Sequence, residues 1–367
     1  MKHRERILMA LDHEQPDRCP MHILLTPDFA QRLKTVLEEN GEDIGEIDYG
    51  VLGGRYPYKL DRLLDADMLI TTVGWLHSFN HPQEHYVDEW GVEWSATYFN
   101  TPFGKGRYTD IVNNPLAEES AIDRYQPPDP DRPKIYEEAG RVIGEFKHEY
   151  WIVGSVAGGI FESACGLHGY ENMLIDLAIN PMIAERIMQI TYQYHLVAAK
   201  RLTEMGVDMI WLGEDVGAQK NMLISPHLWR EFLKPKMANI ISEVKSINPA
   251  VKVAYHSDGY IYPIIPELIE IGLDVLNPIQ PGAMDPYQLK KEFGENLCFW
   301  GSIDQQHTLP HGTPQAVRAE VLERLYIMGK GGGFIIAPAH RVQIDTPMEN
   351  FWAMHDMIIN TPYASIS

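Results

Sequence analysis

Lys252-Val-Ala-Tyr-His-Ser-Asp-Gly259 is an apolar run of strand type that ends in a polar tip at a glycine. In a strand, residues i and i+2 share a face, so the imidazole of His256 and the carboxylate of Asp258 project the same way. Two ligand-type side chains then converge on one small volume. A buried histidine held by a neighbouring carboxylate would show the same pattern without any chemistry. What surrounds this tip in the chain decides the fold and weighs on the choice. Helical periodicity over 225–247 leads into it, and another helical run over 262–271 leads to an apolar strand at 274–279.

The same alternation extends in both directions. Helix 134–148 leads to strand 151–156, helix 170–203 to strand 208–213, helix 286–293 to strand 297–302, and helix 313–329 to strand 333–338. Nearer the start, an amphipathic helix over 2–12 precedes a strand at Cys19–Leu25. A helix over 27–40 and a strand over Asp67–Thr72 follow. Strands alternating with helices mean parallel βα units. Eight such units predict a (β/α)8 TIM barrel with N-terminal helices, occupying residues 1–367 as one domain. A doubly wound open sheet is the rival, but no Gly-rich dinucleotide fingerprint follows any strand. Gly329-Lys-Gly-Gly-Gly333 comes after a helix and before a strand, the reverse of a phosphate-cradling loop, and reads as a helix C-cap. The run Gly154–Gly159 reads as a strand-to-helix turn, or as a close approach of backbone to a ligand.

Residues 75–133 interrupt the alternation. Trp75, Phe79, Tyr86, Trp90, Trp94, Tyr98, Phe99 and Tyr108 alternate with polar residues and glycines, which predicts an inserted aromatic β-hairpin region. That region either roofs a pocket or is only a stacked core of its own. Pro115–Pro133, with Pro127-Pro-Asp-Pro130 inside it, reads as a stiff loop over the surface. His77, His81 and His85 are spaced by four, but Pro82 falls between them and argues for a loop over a helical metal face.

Composition bounds the partners. With 31 basic against 51 acidic side chains and a net charge of -20, the chain opposes nucleic acid and anionic membrane surfaces. Three cysteines, Cys19, Cys165 and Cys298, lie far apart and suggest neither disulfides nor a thiolate cluster. The charged start, Met1–Arg18, has no signal-peptide core. A cytoplasmic protein is expected.

In a barrel, polar residues at the C-terminal strand tips surround the reaction site. The tips here are Glu162, Glu214 and Asp215, His256 and Asp258, Asn277 and Gln280, Ser302 and Asp304, and His340. This is an acidic pocket with two imidazoles. His256, Asp258 and His340, with Glu214 in reserve, form a nitrogen and oxygen set suited to zinc. A metal-free hydrogen-bonded cluster is the alternative. Catalytic roles fall to Glu162, Glu214, His256 and Asp304. Trp90, Trp94, Tyr98, Phe161 and Gln280 are candidates for contact with the substrate.

A set of motifs in fixed order then becomes visible. It comprises Arg4-Glu-Arg-Ile-Leu-Met-Ala-Leu11, Gln15-Pro-Asp-Arg18, Gly159-Ile-Phe-Glu162, Gly213-Glu-Asp-Val-Gly-Ala-Gln219 and Ile224-Ser-Pro226. It continues with His256-Ser-Asp-Gly259, Asn277-Pro-Ile-Gln280, Gly301-Ser-Ile-Asp304, Ala337-Pro-Ala-His340, Asp345-Thr-Pro347 and Glu349-Asn350. Over almost the whole chain these resemble the uroporphyrinogen decarboxylase superfamily, whose fold is a (β/α)8 barrel.

True decarboxylases of that superfamily carry an N-terminal segment with substrate-binding arginines. His22-Ile-Leu-Leu-Thr-Pro-Asp28 stands there instead and lacks them. The other branch comprises methyltransferases that work with a corrinoid protein. Its coenzyme M members carry His-x-Cys and a later Cys as zinc ligands. Here His256 matches the histidine, while Asp258 and His340 stand at the two cysteine positions. That makes a harder metal site, better suited to polarising an oxygen or nitrogen leaving group than to activating a thiol.

The resemblance therefore implies a zinc-dependent methyltransferase of a demethylation system, acting on a small O-methyl or N-methyl substrate. No Asp-x-His-x-x-Gly segment of the cobalt-binding type is present, so the corrinoid is expected on a partner protein docking at the barrel mouth. A homodimer is left open. A decarboxylase of a porphyrinogen or smaller acid, and a non-catalytic binding protein on the same barrel, are the competing classes.

Overall fold

The computed structural model describes residues 1–45, 58–74, 81 and 83–365. Seven parallel strands form one curled sheet in the order β1 (Met68–Gly74), β5 (Trp151–Ala157), β6 (Met209–Gly213), β7 (Lys252–His256), β8 (Val275–Asn277), β9 (Cys298–Ile303) and β10 (Phe334–Pro338). Between them, β2 (His85–Val87), β3 (Glu93–Thr101) and β4 (Gly104–Asn113) make a separate antiparallel sheet, the inserted hairpin region. Trp75, His77 and Phe79 lie outside the described residues.

The eighth stave is Cys19–Leu25, and it is not the regular strand expected there. Met21 bridges Ile336 and Leu25 bridges Val342, each as a single parallel pair. On its other side, the Asp67 amide donates to the Met21 carbonyl. The barrel closes, but its seam has little ladder. A buried carboxylate compensates. Asp67, with no exposed surface, accepts from Arg6 Nη1 at 2.5 Å, Arg18 Nη1 at 2.7 Å and the Met21 amide at 2.8 Å, with His3 Nδ1 at 3.0 Å. One side chain just ahead of β1 thus ties down the first helix, its following turn and the stave.

Strand parity sorts the core into two parts. Inside the barrel are Met68, Trp151, Val153, Met209, Ala254, Val275, Cys298, Trp300 and Ile335, and Ile7 and Leu11 of the first helix, His3–Leu11, enter from the N-terminal end. The alternate residues, such as Ile152, Ile210, Val253, Leu276 and Phe299, face the surrounding helices. That helix is held against the barrel floor by hydrogen bonds from the Arg4 amide to the Glu149 carbonyl and from the Gly333 amide to the Ala10 carbonyl.

Proline explains two departures from the expected helices. The run 170–203 is two helices, Tyr170–Ile179 and Pro181–Met205, because Pro181 lacks an amide proton and starts a new helix at N1. The run 225–247 contains a π-turn at Trp229–Leu233 before the α-helix Lys234–Ile247, in which Pro235 occupies the first turn. A wider turn gives its ring room and leaves no ladder donor wasted. Helix Ile160–His168 follows Gly159, as the strand-to-helix reading of that turn expects, while helix Met348–Ile359 has no counterpart among the elements expected from the sequence. At Gly332, a Cβ would lie 2.5 Å from the Glu14 amide nitrogen, so the Gly331–Gly333 turn is a close backbone contact under the barrel floor and not an anion cradle.

Burial alone would raise the Asp67 pKa, but the His3 hydrogen bond and the charges of Arg18 and Arg6 outweigh it and hold the group below the ordinary carboxylate value. A carboxyl depressed in the folded state stabilises fully above its unfolded pKa of about 3.9. That contribution is lost as pH falls through the lower folded value. Asp67→Ala is expected to lower the unfolding free energy by about 3–5 kcal/mol in urea titrations, the scale for removing one partner of a buried ion pair, with Asp17 still on Arg6 and Asp65 still on Arg18. The variant's stability should also respond less to acid than that of the parent. A loss below about 1 kcal/mol, the scale of an exposed ion pair, would show that the seam is held by other contacts.

Candidate active site and metal centre

Gly213 pairs with His256, and His256 with Asn277, so three neighbouring strand ends stand level at the barrel mouth. Gly213 contributes no side chain; a Cβ there would meet the His256 Cβ at 3.6 Å, an ordinary contact. Below it, Trp211 meets the imidazole edge-on at 5.4 Å and packs against Trp300 at 5.2 Å. The ring therefore stands on an aromatic floor. Its Nδ1 lies 2.7 Å from Asn277 Oδ1, and its Nε2 lies 3.9 Å from Asp215 Oδ1.

Asp215, His256 and Asp258 each offer a ligand atom, and these atoms lie within 4.8 Å of one another. The Asp258 amide donates to Asp215 Oδ1 at 2.7 Å, which holds the two tips together. His340 faces Asp258 across the mouth, Nε2 to Oδ2 at 3.8 Å, with two fifths of its side chain open to solvent. Surrounding protein lowers the His340 pKa, against the pull of Asp258. Asp258 is pushed up by burial and by Asp215, while His256 and His340 oppose that rise. One imidazole and two carboxylates at this spacing fit a divalent cation of the zinc type, with His340 at the rim.

Glu214 does not join this set. Parity places Trp211, Gly213 and Asp215 toward the barrel axis and Glu214 away from it. Its side chain is buried, and Oε2 accepts from the Phe161 amide at 2.6 Å, clamping the turn after β5. Desolvation raises its pKa to about 7. Gly159 must be glycine beside it: φ is +57°, and a Cβ would lie 2.4 Å from the Glu214 Cβ. Asp215 is the residue that the sequence reading left out of its ligand set, and the inward run Met209, Trp211, Gly213 was the signal for it.

Glu162 stands in the same bowl. Burial first, then the charges of Asp215 and Glu214, hold its pKa well above the usual carboxylate range. Asp304 is committed elsewhere. Its Oδ1 accepts from the Gln306 and His307 amides at 2.7 and 3.1 Å, and its Oδ2 lies 3.2 Å from His307 Nδ1. It caps a turn outside the His256 cluster. Gln280 Oε1 accepts from the Gly259 amide, and its Nε2 reaches Gln219 and Gln306, so it braces the loop carrying Asp258.

The aromatic candidates divide. Trp90 is buried against Tyr194 at 4.8 Å, and Trp94 Nε1 donates to Asp88 Oδ2 at 2.8 Å while its ring stacks near Tyr86. Both belong to the main hydrophobic core, which Trp90 joins through Tyr194 of the helix Pro181–Met205. Tyr98 is on the outside, with its hydroxyl on Glu84 and the Lys105 ammonium 3.9 Å above its ring. Phe161 is fully buried with its ring edge-on to Tyr170 at 6.4 Å. Two tyrosines outside the barrel strands, Tyr108 of β4 and Tyr170, also feel the acidic bowl. Burial raises both hydroxyl pKa values, and the charges of Glu162 and Asp215 raise them further. His81 stacks on Tyr86 at 3.7 Å and forms no metal face with His85 among the described residues.

The Uroporphyrinogen decarboxylase (URO-D) family profile matches residues 100–360, well over half of the chain. In fold, the chain is similar to a methyltransferase from Methanosarcina mazei, with 17% identity, a TM-score of 0.69 and 98% of each chain covered. It is also similar to a B12-independent methionine synthase from Shewanella sp. W3-18-1, with 12% identity, a TM-score of 0.45 and 72% of each chain covered. None of the curated proteins matches the chain. No helix among the described residues is long and apolar enough to cross a membrane.

Metal content after dialysis against zinc separates the carboxylates. Asp215→Ala and His256→Ala are expected to lose stoichiometric zinc, while Glu214→Gln retains it; the opposite pattern would return Glu214 to the ligand set. Trp94→Phe is expected to cost about 1–3 kcal/mol, the scale for stranding the buried Asp88 acceptor, and to leave substrate affinity unchanged.

Proposed function

The chain belongs to the uroporphyrinogen decarboxylase (URO-D) family, and on that premise we propose that it is a methyltransferase. In this reading it moves a methyl group from a small O-methyl or N-methyl compound to the reduced cobalt of a corrinoid carried by a partner protein. The observation that carries this is the cluster of Asp215, His256 and Asp258 at the mouth, with His340 opposite. A porphyrinogen bearing several carboxylates would meet Asp215 and Asp258 there, and like charges in a partly dry site repel. A small neutral or cationic methyl donor meets no such barrier. That the Methanosarcina protein of the same fold is a methyltransferase agrees with this choice of branch.

The chemistry asks for three things. The methyl carbon passes to cobalt while both electrons of its bond to oxygen or nitrogen stay with the departing atom. That atom then needs stabilisation and, if it is oxygen, a proton. When bound at Asp215, His256 and Asp258, zinc supplies Lewis-acid polarisation of the leaving group.

The remaining work falls to the chain itself. In this reading Glu162, whose pKa is raised by burial and by Asp215, hands a proton to the departing oxygen. Asp258 is fixed by its amide on Asp215, and its loop by Gln280 on Gly259, so the acidic wall is set before the substrate arrives. Trp211 and Trp300 beneath His256 keep water from the lower side of the site. Tyr108 and Tyr170 border the entrance, where a methoxylated ring or a methylammonium head would pass.

The test is a screen of methoxylated and N-methylated compounds with a reduced corrinoid protein, following methylation of cobalt by its absorbance change. Transfer from at least one compound is expected, with His256→Ala at least about 100-fold slower, the scale of a lost electrostatic stabiliser. Full activity of zinc-stripped protein would reject the metal role. Decarboxylation of a porphyrinogen without methyl transfer would reject the assignment.

A further inference from the structure

The end of β8 contains a substitution for a missing hydrogen bond. β8 and β9 pair in parallel through Val275 with Cys298 and Leu276 with Phe299, and the Cys298 amide donates to the Asp274 carbonyl. Continued in this register, the next donor to the Trp300 carbonyl would be the amide of residue 278. Residue 278 is proline and has no N–H. The Asn277 side chain takes its place, Nδ2 donating to the Trp300 carbonyl at 3.0 Å. Asn277 is 5% exposed, so water does not compete.

The amide orientation is thereby fixed by an acceptor that cannot reverse. A backbone carbonyl only accepts, so the atom facing Trp300 is the NH2 group and the atom facing His256 is Oδ1. At 2.7 Å from His256 Nδ1, Oδ1 in turn requires a proton on Nδ1. In a neutral imidazole the lone pair then sits on Nε2, the atom turned toward Asp215.

We propose that Asn277 is a positioning residue that sets the His256 tautomer through its amide bridge to the Trp300 carbonyl, presenting Nε2 as the ligand atom toward Asp215 and Asp258. The metal half of this statement rests on the zinc reading above; the tautomer half does not. Pro278 is part of the device, because an ordinary residue there would satisfy Trp300 and free the amide to turn over.

Nitrogen chemical shifts of His256 in 15N-histidine-labelled, metal-free protein read the tautomer directly. The wild type is expected to carry the proton on Nδ1, and a proton on Nε2 would overturn the proposal outright. Asn277→Leu is expected to give a mixture of tautomers and a zinc affinity lower by about 10- to 100-fold, the effect of losing an outer partner of a metal-bound histidine. Asn277→Asp keeps an acceptor for Nδ1–H but no donor for Trp300, so it should restore the tautomer and zinc affinity while unfolding at lower denaturant than the wild type. An unchanged tautomer in Asn277→Leu would reduce Asn277 to a packing residue. If the wild type shows the Nδ1 proton but takes up no zinc, the positioning role stands and the zinc reading falls.

Discussion

The barrel depends on a buried carboxylate. Asp67 sits where the sheet must close on itself, and it draws Arg6, Arg18, His3 and the Met21 amide to one point. Closed sheets normally hold their seam with a ladder of backbone hydrogen bonds. Here the stave Cys19–Leu25 contributes only isolated bridges, so charge-assisted bonds stand in for rungs. The consequence reaches the far end of the molecule. Met21 is bridged to Ile336 of β10, and the loop that leaves β10 carries His340, so the seam and the mouth share one strand.

Most of the architecture is legible in the chain because it rests on periodicity. Apolar runs such as Met209–Gly213 and Phe334–Pro338, set between amphipathic helices, leave few choices of topology. What periodicity could not give was set by single residues acting through tertiary context. Pro181 divides a helix that looks continuous, and Pro235 widens another. Cys19–Leu25 has the composition of a strand, but its Met21 amide is taken by the Asp67 side chain, and it bridges β10 and the loop beyond only at Ile336 and Val342. The aromatic insert shows the same limit. Trp90 and Trp94 are as apolar as any pocket-lining residue, and only the hydrogen bond of Trp94 to Asp88 and the contact of Trp90 with Tyr194 reveal that they pack inward.

The acidic tips were legible as a group but not one by one. Four carboxylates, Glu162, Glu214, Asp215 and Asp258, gather near the mouth, and parity divides their work. Residues 211, 213 and 215 share the inner face, which turns Asp215 toward His256 and sends Glu214 back to the amide of Phe161. Adjacent residues of the same charge thus have opposite roles. A carboxylate that braces a turn keeps the tip rigid, and one that faces the axis can meet a cation. Asp304, equally acidic and at an equivalent position, is consumed by the turn it caps.

The helix His3–Leu11 stoppers the lower end of the barrel with Ile7 and Leu11. A vessel sealed at its base has to be filled and emptied at the brim. If a protein-sized acceptor comes down over that brim, a small reactant must already be inside, and the spent molecule must wait until the visitor lifts away. The sequence of arrivals and departures would then be imposed by the shape of the container, with no switch needed to enforce it.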